Sequence, residues 1–163
     1  MAKKKSKPGH CCFCGRYGKL TKDHIPPKCF FPPDNRSNLI TVPACSECNT
    51  GSSKDDELLR DLFVSVRESS EHPSAQAVLD TVKRSWQPRE RDGLIQWTGN
   101  FRYIAERITP VARKGTNGVI EEMGVISVEQ KRVSDFVKKT FHAIYFIQSK
   151  KHFPLEWEFF KYH

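Results

Sequence analysis

Asp23 and His24 stand side by side in the chain, with Asn38 and Asn49 downstream. A carboxylate binds a hard cation, a neutral imidazole beside it can activate water, and an asparagine amide oxygen can complete the cation's shell. Mg²⁺ typically takes only one or two protein oxygens of this kind and leaves room for water and substrate phosphate, so one Asp and one Asn suffice. The group therefore reads as a metal-plus-base site. Lys22 and Lys28 flank it, either as phosphate contacts or as ordinary solvated loop charges. Taken singly, each residue has a plainer reading: Asp-His is usually surface, Asn38 before a strand is a turn residue, and Asn49 after a cysteine pair is a helix cap.

Six cysteines set the frame around these residues. Cys11 and Cys14 form one C-x-x-C pair, and Cys45 and Cys48 form another. Two such pairs, a few tens of residues apart, are the spacing of a structural zinc site, where four thiolates surround the ion at about 2.3 Å. A redox pair and unrelated buried thiols are the alternatives. Cys12 could compete with Cys14, although the C-x-x-C register matches the second pair. Cys29, ahead of Phe30 and Phe31, reads as a small buried hydrophobe. His10, just before Cys11, is a stray ligand candidate in a site where four cysteines already suffice. The chain opens on no charged-then-apolar leader, which argues against a disulfide framework.

The run Cys11-x-x-Cys14, Asp23-His24-Ile25-x-Pro27, Asn38, and Val42-Pro43-Ala44-Cys45-x-x-Cys48-Asn49 resembles the HNH endonuclease family, in its zinc-containing bacterial type with an Asp-His-Ile-Pro-Pro-Lys core. The match covers residues 11–57. The resemblance implies a ββα-metal fold, two short strands and a helix around a divalent cation. By it, His24 is the general base and Asn38 the central asparagine that orders the loop and orients the base. Asn49 takes the third position, where many members have His, and Asp23 and Asn49 hold Mg²⁺ or Mn²⁺. The implied activity is hydrolysis of DNA phosphodiester bonds, leaving 5′-phosphate and 3′-hydroxyl ends. Zinc on Cys11, Cys14, Cys45 and Cys48 shapes the site without reacting. The rival reading is a non-catalytic zinc module that binds nucleic acid.

The expected fold class is α+β: an N-terminal ββα-metal module stapled by zinc, followed by a small α/β C-terminal region. The expected divisions are a basic disordered tail over 1–10, the nuclease module over 11–70, and a C-terminal region of unassigned role over 71–163. Lys19–Thr21 and Leu39–Val42 read as strands around a proline-rich loop. A helix follows, starting near the second cysteine pair or at Ser52–Ser53, with an apolar face from Leu58, Leu59, Leu62, Phe63 and Val66. Ala75–Trp86 reads as a second helix with Ser74 as a cap. Leu94–Trp97 and Phe101–Ile104 read as short strands, and Val119–Val128 as one or two more. Residues 133–147 carry a strong helical period, whose aromatics belong to a core. A closing aromatic stretch (Trp157, Phe159, Phe160, Tyr162) is a docking surface or simply core.

Twenty-seven Lys and Arg against 19 Asp and Glu give +8. Four lysines sit at positions 3, 4, 5 and 7, so without them 23 against 19 leaves +4. Four thiolates and one Zn²⁺ would lower the total to about +6. This balance points to a polyanion, with double-stranded DNA first. No apolar run approaches the roughly 20 residues of a membrane span. The expected setting is cytoplasmic, without a membrane partner. A homodimer or a protein partner would dock through the C-terminal region.

Overall fold

The computed structural model describes residues 8–66, 69, 71–116 and 118–154. The protein is mixed α+β, with 46% helix and 25% strand. It divides into two compact units, Met1–Arg60 with Lys131–His163 and Asp61–Gln130. The first unit is discontinuous, because the last long helix returns to the N-terminal segment.

Unit 1 holds a three-stranded antiparallel sheet of β1 (Pro8–His10), β2 (Tyr17–His24) and β3 (Thr41–Cys45), in that spatial order. Residues 8–10, expected as the end of a disordered tail, thus pair with β2, Pro8 opposite Lys19 and His10 opposite Tyr17. The His10 ring meets the edge of Tyr17, with centroids 5.1 Å apart. The β2–β3 ladder runs from Leu20 opposite Cys45 to His24 opposite Thr41. Pro43 has no N–H to give a ladder, which suits β3 as an edge strand. Its carbonyl accepts instead from the Cys12 amide at 2.9 Å.

The proline-rich loop from Ile25 to Asn38 contains two single 3-10 turns, at Lys28–Phe30 and Pro33–Asn35. It ends at Asn38, whose φ of 64° lies in the left-handed region that asparagine tolerates better than most side chains. Two helices follow β3: α1 (Ser46–Thr50) and α2 (Ser53–Ser65), the second beginning with Asp55 and Asp56 in its first turn. Those carboxylates favour the positive end of the helix dipole. The division between the units falls within α2.

The long C-terminal helix, designated α5 (Gln130–Ser149), completes unit 1. Its Ala143 joins Cys12, Ile25 and Val42 in one buried cluster, with Phe13, Phe146 and Ile147 packed against it. Phe136 meets Phe30 of the proline-rich loop, centroids 5.6 Å apart. The expected core face of residues 133–147 is thus only partly buried: Phe136, Phe146 and Ile147 pack inward, whereas Val133, Val137, Phe141 and Ile144 are exposed.

Unit 2 contains α3 (Pro73–Trp86), the hairpin of β4 (Arg89–Arg91) and β5 (Leu94–Gln96), α4 (Gly99–Ala105), and the hairpin of β6 (Ile108–Lys114) and β7 (Ile120–Ile126). Its apolar cluster is Val64, Val78 and Val82, flanked by Ala75, Leu79 and Trp86. Three expectations change here. The cap of α3 is His72, whose Nδ1 accepts from the Ser74 amide, with Pro73 at the first helical position. Phe101–Ile104 lies in helix α4, not a strand, because Thr98 Oγ1 accepts from the Phe101 amide and caps a helix there. Strand β6, with Pro110 inside it, pairs with β7 where the sequence showed no strand. The terminal aromatics Trp157, Phe159, Phe160 and Tyr162, and Lys3, Lys4, Lys5 and Lys7, lie outside the described residues. Among the described residues, no helix is long and apolar enough to cross a membrane.

Candidate metal centre and the residues around it

Cys11, Cys14, Cys45 and Cys48 come together with their sulfurs all within 4.8 Å of one another. A tetrahedral ion with bonds of about 2.3 Å sets its ligands about 3.8 Å apart. Cys14 Sγ and Cys45 Sγ are 3.8 Å apart, so the cluster fits such an ion. These four cysteines can bind a metal such as zinc. Local structure explains how. Cys11 accepts the Gly15 amide on its carbonyl at 2.9 Å, and Gly15 has a φ of 71°, which closes the first knuckle. In the second, Cys45 is the N-cap of α1, its sulfur 3.5 Å from the Cys48 amide.

The competition between Cys12 and Cys14 is decided by direction. Cys12 turns into the apolar cluster, and burial pushes its thiol up to about 12. Cys14 turns to the other thiols. A hydrogen bond from Arg16 Nε, at 3.4 Å, is the main reason its pKa falls to about 6. Arg16 also pairs with Glu47, between the two cysteines of the second knuckle, so one guanidinium bridges both knuckles. Cys48 lies above the ordinary thiol range through burial and its neighbouring thiols, a strain that a cation would relieve. Cys29 is half-buried, and burial raises its thiol to about 11. His10 Nδ1 lies 2.9 Å from the Gly15 carbonyl and outside the cysteine cluster.

The strand geometry sorts the other candidates. Successive side chains on β2 face opposite sides of the sheet. Asp23 is 6% exposed and shares its inward face with buried Ile25, whereas His24 falls on the other side and is half-buried. Asn49, on α1, returns to the same strand: its Nδ2 donates to Thr21 Oγ1 at 2.8 Å and to the Lys22 carbonyl at 3.3 Å. Those bonds use the nitrogen end of the amide and leave the oxygen end for another partner. Asn38 is exposed at the loop end, and Lys22 and Lys28 are exposed on either side of Asp23-His24.

Asp23 also has a partner the sequence did not suggest. Lys139 of α5 places Nζ 2.8 Å from Asp23 Oδ2 and 3.8 Å from Asp56 Oδ2. The same ammonium donates to Ser52 Oγ at 2.7 Å, and Ser52 donates to Asp56 Oδ2 at 3.0 Å. Lys139 lies 5.5 Å from the centre of the Phe13 ring. Burial raises the Asp56 pKa, and Lys139 opposes that rise. Arg132 of the same helix pairs with Asp55. A lysine on an amphipathic helix reads as a solvent-facing charge, and its acidic partners lie far away in sequence. The one local hint was the acid pair at the start of α2. The donor chemistry of Asp23 and Asn49 suits a hard divalent cation. Asp23 already shares one oxygen with a positive side chain. No family model, no curated protein and no solved structure matches this chain.

Proposed function

We propose that this protein is a zinc-stapled, metal-dependent DNA endonuclease of the HNH type. The observation that carries the reading is the arrangement around β2. This strand ends in Asp23-His24, its antiparallel partner β3 leads through Cys45 into α1, and Asn49 of α1 bonds back to β2. The order strand, strand, helix is that of the family's module. The four-cysteine cluster ties the start of the segment to its end, as a structural zinc does.

In this reading His24 takes the proton of an attacking water on its unprotonated ring nitrogen. Asp23 and Asn49 hold the divalent cation, which supplies charge stabilisation at the scissile phosphate. Asn38 orders the loop between the strands and so the approach to His24. Lys22 and Lys28 contact phosphate from either side. Duplex DNA is drawn to unit 1, which contains 18 basic and nine acidic residues.

The test is nicking of supercoiled plasmid with Mg²⁺ or Mn²⁺, by wild type and by His24→Ala. Cation-dependent nicking should vanish in the variant while zinc content and DNA binding stay unchanged. A wild type that retains plasmid but never nicks it, whatever the divalent ion, would transfer the assignment to the second reading. That reading, a non-catalytic zinc module on nucleic acid, is favoured by one observation: the ammonium of Lys139 beside the Asp23 carboxylate.

A further inference from the structure

Lys139 carries this inference, which rests on the nuclease reading. Its side chain is 13% exposed, that of Asp23 8% and that of Asp56 9%. A buried ammonium needs oxygens to replace water, and this one is ringed by three: Asp23 Oδ2, Ser52 Oγ and Asp56 Oδ2. The three come from two separate stretches, the end of β2 and the start of α2, and the ammonium comes from α5. The sheet cluster that includes Ala143 fixes the helix one turn further on. The position of Lys139 is thus set by packing, and its ammonium meets the Asp23 carboxylate there.

We propose that Lys139 is a positioning residue of the candidate site, acting through Asp23: it fixes the carboxylate next to His24, so that α5, from the far end of the chain, is part of the nuclease module. Groups that orient a cation-binding carboxylate are typically worth about 10–100-fold when removed. The charge of Lys139 gives its role a signature. An ammonium against a carboxylate opposes a second cation there. Neutralising it therefore strengthens cation binding, while the carboxylate, no longer fixed, serves the reaction less well. Affinity and rate move in opposite directions. A helix anchor without a part in the site would lower both or neither.

The experiment uses the full zinc-loaded chain with Lys139→Met, Lys139→Gln and Lys139→Arg. Zinc content and circular dichroism establish folding. Calorimetry measures Mn²⁺ binding, and plasmid nicking at saturating Mn²⁺ and DNA measures turnover. The neutral variants should bind Mn²⁺ at least about threefold more tightly and nick at least about tenfold more slowly. Arg should restore the rate to within about threefold of wild type, because it returns a cation to the same carboxylate. Gln stands in if Met leaves the chain unfolded, since it keeps a hydrogen-bond donor. The proposal falls if affinity and rate fall together, if both rise, if neither changes, if Arg fails to rescue, or if neither neutral variant folds. A wild type that binds Mn²⁺ but does not nick overturns the nuclease reading itself, and the positioning role with it. Nicking by wild type without the opposed shifts overturns the positioning role alone.

Discussion

Of the 27 basic residues, 18 belong to the unit built from Met1–Arg60 and Lys131–His163, against nine acidic ones; Asp61–Gln130 holds nine basic and ten acidic. One unit is +9 and the other −1. Their interiors differ as well. Unit 1 gathers four cysteines and a buried ammonium between carboxylates. Unit 2 centres on three valines and one fully buried carboxylate, Asp61, whose Oδ2 accepts from Trp86 Nε1 at 3.1 Å and Asn100 Nδ2 at 3.0 Å. Several large apolar side chains of its hairpins are exposed, Ile95 and Ile120 most of all. Polar interiors need matched partners to be stable, and such partners are also what chemistry uses. In the proposed nuclease reading, the chemistry and the polyanion both belong to unit 1.

The largest expected effect separates the two interiors. Stripping zinc with a chelator should remove on the order of 10 kcal/mol of apparent folding free energy from the cysteine-held segment. By hydrogen exchange, β1–β3 and α1 should lose protection while α3 keeps its own. Equal loss in α3 would show that the units do not stand apart energetically. Asp61→Ala makes the opposite cut. It leaves two half-buried donors without their carboxylate, at a cost of about 1–3 kcal/mol. Urea unfolding followed by tryptophan fluorescence should report that loss, with zinc retained.

Charge can be tested in the same way. Deleting residues 2–7 removes four lysines, and each lost phosphate contact should flatten the salt dependence of DNA binding by about 0.9 in log K against log salt. Lys83→Glu, on the exposed surface of unit 2, should leave that slope unchanged. A slope that responds to Lys83 and ignores the tail would move the polyanion surface away from unit 1.

The smallest effect concerns Arg16. Its pair with Glu47 is mostly exposed, so Arg16→Ala should leave stability nearly unchanged. Its bond to Cys14 is the chief reason that thiol sits near 6, down from 9.0. Zinc is released as acid protonates the thiolates, and without Arg16 the Cys14 proton is held more tightly. The release midpoint should therefore rise in pH, as a metal-sensitive dye would record. An unmoved midpoint would show that the metal alone fixes the thiolate.

What the sequence made legible was the local pattern. The paired C-x-x-C spacing led to the four sulfurs that the fold brings together, since a knuckle is built by its own few residues. The helical period over 133–147 corresponds to α5, and Ala75–Trp86 to α3. Phe101–Ile104 misled because aromatic and β-branched residues suit a strand, and the decision lay with a cap three residues upstream. Strand β6 was hidden by Pro110, which an edge strand tolerates. The separation of Asp23 and His24 onto two faces follows from strand alternation once β2 extends to His24. Sequence had given that strand only Lys19–Thr21. The partnership of Asp23 with Lys139 had no local signal, because it is made by tertiary packing alone.

That partnership has a consequence for synthesis on the ribosome. Chains emerge at roughly 5–20 residues per second, so Asp23 precedes Lys139 by about 6–23 s. Through that interval the two cysteine knuckles are already made, and unit 2 emerges between them and the closing helix. The nascent chain therefore holds Asp23 without its ammonium, and water must serve the carboxylate until α5 arrives. Completion of the basic unit is timed by translation, since the Ala143 cluster and the Asp23–Lys139 pair both wait for the last long helix.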